Sequence, residues 1–434
     1  MWKILMMIFT GIIVSFYYFP FEFSFLPGIN TKMGLAVVGI ILSAIKLVKF
    51  GESTIPRNLV RVLVSAVMVS LVGVVSVVLN NTPDYAYATY FVSMLVWLSG
   101  AFTVCALIKQ VHGELTIEKV SIYIACVCVV QCIIALIIDS NLLIKDFVDT
   151  YIMQDQELLN EVDRLYGIGA SLDTAGVRFS ACLIMLMFLI NKWKSSMTSF
   201  QVLIAIIAYI IIAVVGNMVA RTTIVGVGLS VIYALVTFKP TRVTFSFFRT
   251  IRVLIIVLLV TIPLSIYLYN HNLQFHELSR FAFEGFFNLV ETGEWQIDSN
   301  DKLKTMIVFP DNLKTWIIGD GYFENPYYTD PTYVGYQPGG YYMGTDIGYC
   351  RFIFYFGLIG LFAFSFFLIT VSRECISLLP DYKALILFIL LLGFVIWMKV
   401  ATDVFLVLAL FLCVGNMQDE DPQLSLEPNP ELGS

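Results

Sequence analysis

The chain has 434 residues, 59% of them hydrophobic and only 13% charged, with a formal net charge of −6 at pH 7. Soluble domains carry about 25% charged residues, so the composition excludes a soluble globular protein and describes a polytopic membrane protein. The charges sit in loops and tails, and no basic stripe is present to hold a nucleic acid.

A bilayer core of about 30 Å takes ~20 apolar residues per helix. On that measure twelve runs are expected to span: 3–20, 33–49, 59–79, 86–108, 119–138, 176–191, 199–217, 222–238, 253–270, 347–371, 384–398 and 402–416. The expected fold class is all-α, a polytopic membrane helix bundle. The first run, MWKILMMIFTGIIVSFYYF, lacks a small-residue cleavage site and reads as a retained helix. Short basic loops (KLVKFGESTIPRNLVR, KQVHGELTIEK, NKWKSS, KPTRVTFSFFRTIR and SRECISLLPDYK) alternate with poorly basic connections such as NNTPDYA. The positive-inside rule puts the basic loops, and with them both termini, on the cytoplasmic side. The eight cysteines fall in apolar runs or at their ends, and no His or carboxylate lies beside Cys126, Cys128 and Cys132. They read as packing residues. The long polar loops hold no Cys pair, which excludes a disulfide framework.

Two outer loops stand out. The first, 139–175, is acidic and ends in GIGASLDTAGVR. The second, 271–346, is dense in aromatics, among them Trp295, Trp316, Tyr322, Tyr327, Tyr328, Tyr341 and Tyr342. Loops this long are functional or disordered, and so many aromatics with so few charges argue against disorder. Two readings stand level: aromatic faces that stack on sugar rings, or a structured cap that holds the bundle together. The stretch DSND at 298–301 reads as a turn in preference to a divalent-metal site. The organisation expected is 1–270 as nine helices, 271–346 as the large loop, 347–416 as three more helices, and 417–434 as a disordered acidic tail.

Charge at the outer helix ends carries the functional signal. Arg221, in VVGNMVARTTIVGVGLS, stands between two apolar runs with almost no loop. Snorkelling to headgroups is one account of it; capture of phosphate, which suits the fixed guanidinium fork, is the other. Thr222 and Thr223 follow, placed to cap the next helix or to donate to the same anion. Arg280 lies in HELSRFAFEGF, Arg351 is the first cation of the helix that closes the large loop, and Arg178 follows Asp173 in LDTAGVRFS. Each alone is explained as an interfacial anchor. Four together, against the positive-inside trend, point to a bound anion. Asp346 and Tyr349 are spaced for one helical face, with Arg351 slightly offset. Gly226, Gly228, Gly357 and Gly360 read as sites of close helix packing. No Walker loop, HExxH or GxSxG is present, and His271 and His276 are minor candidates for a base. A transporter would place ionisable groups near the midplane. Here the span interiors are almost free of charge, with Gln131 an isolated polar residue, which favours surface chemistry.

Four stretches carry a family likeness: GIGASLDTAGVRFS at 167–180, ARTT at 220–223, SRFAFEGF at 279–286, and IGDGYF with YMGTDIGYCRFIFYFGLIG within 318–360. With them the chain resembles, over essentially its whole length, bacterial O-antigen polymerases of the Wzy type, within the group that includes the O-antigen ligases. The resemblance implies a GT-C-like bundle of about twelve helices with a large periplasmic loop, in the bacterial inner membrane. It implies a metal-independent, inverting glycosyl transfer without a cofactor. The donor would be a glycan on undecaprenyl diphosphate and the acceptor a lipid-linked repeat unit, with a chain-length regulator as a protein partner. The family's outer-face arginines map onto Arg221, Arg280 and Arg351, and less closely onto Arg178. Such donors stabilise the charge on the leaving diphosphate without a metal. The ligases use a His near the end of the large loop, which this chain lacks. Asp346 stands roughly there and is expected as the general base, ahead of Asp173 and Glu284. Tyr342 and Tyr349 are expected beside the glycan. A ligase, and a lipid-linked oligosaccharide flippase from a different class, remain the alternatives.

Overall fold

The computed structural model describes residues 2–50, 56–154, 164–193, 197–237, 245–335 and 340–419. Long apolar segments in a bilayer find no water for their backbone, and a helix satisfies every N–H and C=O within the segment. The described chain accordingly runs through α1 (Trp2–Tyr18), α2 (Thr31–Phe50), α3 (Arg57–Asn80), α4 (Tyr90–His112), α5 (Ile117–Ser140) and α6 (Leu142–Tyr151). It continues with α7 (Leu172–Trp193), α8 (Ser199–Val219), α9 (Thr223–Thr237), α10 (Phe245–His271), α11 (Leu273–Ala282) and α12 (Glu284–Thr292). The last six are α13 (Asp298–Thr305), α14 (Leu313–Ile318), α15 (Pro326–Thr329), α16 (Gly348–Leu378), α17 (Lys383–Ile396) and α18 (Phe405–Asp419). Polar residues set the boundaries. The Thr116 side chain accepts the Lys119 N–H where α5 starts, and Thr198 and Gln201 form a reciprocal capping box at α8. The one sheet among the described residues pairs β1 (Glu22–Phe23) with β2 (Ile152–Met153), antiparallel, Glu22 opposite Met153.

A helix occupies each of the twelve expected positions, and seven are long and apolar enough to cross a membrane: α3, α4, α5, α7, α8, α16 and the part of α10 from Arg252. The protein is an all-α, multi-pass membrane protein. Helix α7 lies at the centre, with 72% of its apolar window buried, against 11% for α10. Ile255, Leu259, Val260 and Ile262 of α10 stand exposed, an apolar surface suited to lipid.

The connections gather at two ends. At one end Lys192 pairs with Glu118, the Tyr382 hydroxyl donates to Glu118 at 2.9 Å, and Arg61 pairs with Glu374 at 2.9 Å. At the other end α11 to α15 form a cap. Its interior is aromatic: the ring of Phe323 meets Tyr87 at 5.1 Å, and the Trp316 indole N–H donates to the Pro310 carbonyl at 2.9 Å. Tyr327, Tyr328 and Trp295 remain outside. The aromatic-dense loop is therefore an ordered cap that keeps some rings exposed.

The cap docks on a break in α16. Phe356 and Gly357 leave helical geometry (Gly357 φ 67°, ψ −170°), and the freed carbonyls of Phe354 and Tyr355 accept the N–H groups of Asp320 (2.6 Å) and Gly321 (3.0 Å). A Cβ on Gly357 would stand 2.2 Å from the Ile317 carbonyl carbon, so glycine is needed both for its φ and for this approach. Gly226 serves close packing of α9 on Ser180, whereas Gly228 faces open space. Three further expectations change. DSND opens helix α13 after the extended Ile297 and is not a turn; its acids suit the positive end of the helix dipole. Cys126 is exposed while the other seven cysteines are buried. Helix α18 runs through Asp419, so residues 417–419 are helical, and the remainder of the expected tail lies outside the described residues.

Candidate functional site: an arginine-lined cavity at the cap end

Helix α8 ends at Val219, Ala220 is extended (φ −152°, ψ 120°), and α9 starts at Thr223, which leaves Arg221 in a turn too short to form a loop. Gly176 of α7 permits that turn to close, because a Cβ there would stand 2.9 Å from the Cβ atoms of Ala220 and Thr222. The end of α11 is fixed beside it by the Asn217 amide, which donates to the Ala282 carbonyl at 2.6 Å. The result is a cavity of about 640 Å³ whose walls carry Arg164, Arg221 and Arg280.

Arg221 Nη1 lies 2.6 Å from Glu284 Oε2 and donates to Ser299 Oγ at 2.9 Å. Its guanidinium also stacks over the Phe281 ring at 4.0 Å, and Arg164 takes the same ring at 5.0 Å. Arg280 makes a fork with Glu291 (2.7 and 2.8 Å) and lies 5.2 Å from the Phe287 ring. The buried Nε atoms of Arg164 and Arg221 have no acceptor, and the Arg164 guanidinium makes no hydrogen bond or ion pair among the described residues. Burial, countered by Glu284 and reinforced by Arg164, pulls the Arg221 guanidinium below its ordinary pKa. Three guanidinium groups around a cavity with room for a ligand are chemically suited to an oxyanion such as a phosphate or diphosphate.

Behind the cavity, Lys399 Nζ lies 2.8 Å from Asp173 Oδ1 and donates to Thr222 Oγ1 at 3.1 Å, and Thr222 donates to Asp173. This knot joins the ends of α7 and α9 to the α17–α18 connection. Asp346 lies within electrostatic reach of Asp173, Lys399, Lys302 and Arg351. It makes no ion pair and accepts no hydrogen bond among the described residues. Burial raises its carboxyl above the usual aspartate range, opposed by Arg351. A carboxylate with free lone pairs and a raised pKa is suited to accept a proton.

Arg351 has a different setting. Its residue is 4% exposed, and its guanidinium is enclosed between the rings of Tyr341 (3.4 Å) and Phe323 (3.7 Å). Nη2 donates to the Phe323 carbonyl at 3.1 Å and lies 3.3 Å from Glu324 Oε1, while Nε is buried without an acceptor. Burial raises the Glu324 carboxyl, with Arg351 opposing. Arg351 thus fastens the cap to α16 and does not line the arginine cavity. The expected helical face shared by Asp346 and Tyr349 does not form, because Ile347 is extended and α16 starts only at Gly348.

The remaining expected residues divide. Glu284 lies in the cavity: its Oε1 accepts the Asp298 N–H at 2.9 Å, and its Oε2 is ion-paired with Arg221 at 2.6 Å but accepts no hydrogen bond. Asp173 is held by Lys399 and Thr222. Tyr342 donates to Asp320 at 3.3 Å and Tyr349 to the Phe394 carbonyl at 3.0 Å, so both hydroxyls bind the fold and not a free surface. Arg178 stands apart, near Phe19 at 5.7 Å. Arg164, Lys399 and Glu324 were not singled out in the sequence. Arg164 lies in a long acidic loop where charge carries little positional meaning, and Lys399 carried a weak signal as a lone cation between two short apolar runs. No protein-family model, curated protein or solved structure matches this chain.

Proposed function

We propose that the protein is a bacterial O-antigen polymerase. It joins undecaprenyl-diphosphate-linked repeat units into a polysaccharide at the periplasmic face of the inner membrane, by metal-independent, inverting glycosyl transfer. The bundle on this reading crosses the membrane twelve times with both termini cytoplasmic, and the cap is periplasmic. The single observation that carries the reading is the arginine cavity, lined by Arg164, Arg221 and Arg280 together.

In the reaction an acceptor hydroxyl attacks the anomeric carbon of the donor glycan. The new C–O bond forms as the bond to the diphosphate oxygen breaks, and undecaprenyl diphosphate leaves. The hydroxyl proton passes to the Asp346 carboxylate. Arg221, Arg164 and Arg280 offset the charge that builds on the leaving oxygen. Arg351 holds the cap segment that contains Phe323 and Glu324 against the helix that Asp346 precedes. The Lys399–Asp173–Thr222 knot fixes the turn that presents Arg221.

Purified protein supplied with lipid-linked repeat units alone makes a ladder of lengths if the reading holds. A ligase makes none without a lipid A–core acceptor. Normal ladders from both Arg221→Ala and Arg280→Ala would remove the basis of the assignment.

A further inference from the structure

A second large cavity lies away from the three arginines, in the side of the bundle between α1 and α5. It holds about 800 Å³, within the ~300–1,000 Å³ of ligand sites. Met7, Ile12 and Phe16 of α1 and Ile122, Val130 and Ile134 of α5 line it. Ile12, Ile122 and Val130 are exposed, so the cavity opens sideways, towards lipid. From Ile122 to Ile134 its wall rises ~18 Å along α5, a little more than one leaflet of a bilayer core of about 30 Å. Gly11 also lines it, and a Cβ there would meet nothing within 4 Å.

The polar groups midway along the wall are already satisfied. Gln131 Nε2 donates to Ser15 Oγ at 3.2 Å and to the Ile168 carbonyl at 3.0 Å, and its Oε1 accepts the Ile168 N–H at 3.0 Å. An apolar chain laid there strands no donor or acceptor. The two ends differ. At the cap end Phe21, Phe23 and Ile152 line the cavity, the last two on the paired strands β1 and β2. At the opposite end it is lined by His112 and Tyr123, which share a hydrogen bond at 3.0 Å. Helical spacing brings lysines to that mouth. Lys3 stands one turn before Met7 on α1, and Lys119 one turn before Tyr123 on α5. Lys109 stands one turn before His112 on α4 and donates to the Met417 carbonyl at 3.4 Å. Glu114 pairs with Lys119 at 2.5 Å, while Glu118 is taken by Lys192. The mouth therefore keeps a positive balance. An apolar trough about one acyl chain long, with cations at its mouth, matches a lipid whose headgroup is negative.

We infer that this cavity holds one acyl chain of an anionic glycerophospholipid, with the phosphate against His112, Lys3 and Lys119 in the leaflet opposite the cap. A zwitterionic lipid fills the trough equally well but gains less from the lysines, so charge is what selects the occupant. The headgroup lies at the far end of the bundle from the arginine cavity, and the site stands or falls independently of the polymerase reading. The bound chain would fill the gap that Gly11 leaves between α1 and α5.

The test titrates the full chain in detergent with dioleoylphosphatidylglycerol or dioleoylphosphatidylcholine and counts retained lipid by native mass spectrometry. Wild type is expected to hold one phosphatidylglycerol about tenfold more tightly than phosphatidylcholine, the scale of two lysines near an anionic headgroup. Lys3→Gln with Lys119→Gln should remove that preference, and Lys3→Arg with Lys119→Arg should keep it, which separates loss of charge from loss of fold. Gly11→Phe, which puts a ring into the open space, should abolish retention, whereas Gly11→Ala should keep it. Equal affinity for the two lipids on wild type, an undiminished preference in the Gln pair, or retention by Gly11→Phe overturns the site. Displacement of the phosphatidylglycerol by undecaprenyl phosphate at equal concentration would hand the cavity to a polyprenyl chain and overturn the phospholipid as its occupant.

Discussion

Arg221 lines a cavity of about 640 Å³ and pairs with Glu284 there, whereas Arg351 is shut between two aromatic rings with its Nη2 donating to the Phe323 carbonyl. In the sequence the two look equivalent, each a lone guanidinium at a helix end. The difference shows that position against the positive-inside trend marks an arginine as purposeful but does not say for what. An open arginine is available to a ligand; an enclosed one is committed to the fold. Asp346 lies within electrostatic reach of the enclosed one and of the knot behind the open one.

The largest effect is expected at Asp346. Asp346→Asn should lower the transfer rate by about 10²–10⁴-fold, the range for loss of a general base, measured as ladder formation against time. The wild-type rate should rise with pH through a value above the ordinary aspartate range, because burial raises this carboxyl. For stability the sign is opposite. The folded state holds the proton more tightly than the unfolded chain, so this group favours folding at low pH. That contribution is lost as pH rises from the ordinary aspartate range through the raised folded value. Asp346→Asn should flatten the dependence.

Arg221→Ala should cost about 10²–10³-fold in rate, as for loss of one donor to a developing oxyanion, with the protein still folded. Arg351→Ala should do the reverse. It removes a buried charge-assisted bond and two cation–ring contacts, for a loss of about 3 kcal/mol in stability, read as a lower melting temperature in detergent. If Arg351→Ala melts like wild type yet makes no ladder, the division between the two arginines fails.

Lys399→Met should fall between them. It leaves Asp173 and Thr222 without their cation and is expected to cost about 1–2 kcal/mol together with a smaller drop in rate, because the Arg221 turn loosens. Arg280→Ala should show the smallest change in melting, since its Glu291 pair is exposed on both sides, while diphosphate binding weakens. A large loss of stability there would mean that Arg280, like Arg351, serves the cap.

Much of the fold was legible because an apolar window of spanning length is a strong and local signal. Helices lie at each expected position, even where α9, α17 and α18 are short. Arg221, Arg280 and Glu284 were named and do meet in one cavity. What the sequence did not reveal depends on long-range packing. The fate of Arg351 is decided by Phe323 and Tyr341 folding over it, and Arg164 reaches the cavity only because it shares the Phe281 ring with Arg221. The spacing argument for Asp346 failed for a local reason: the extended Ile347 separates it from α16. Tyr342 and Tyr349 are expected beside the glycan, but the hydroxyl of each donates to an internal partner that no sequence spacing reveals.

The most direct test reconstitutes the purified protein in liposomes with a lipid-linked repeat unit and a chelator of divalent ions, and resolves the products by length. Wild type is expected to build a ladder and Arg221→Gln to leave single repeats while binding less undecaprenyl diphosphate. A ladder of normal length from Arg221→Gln, or none from wild type, would contradict the account.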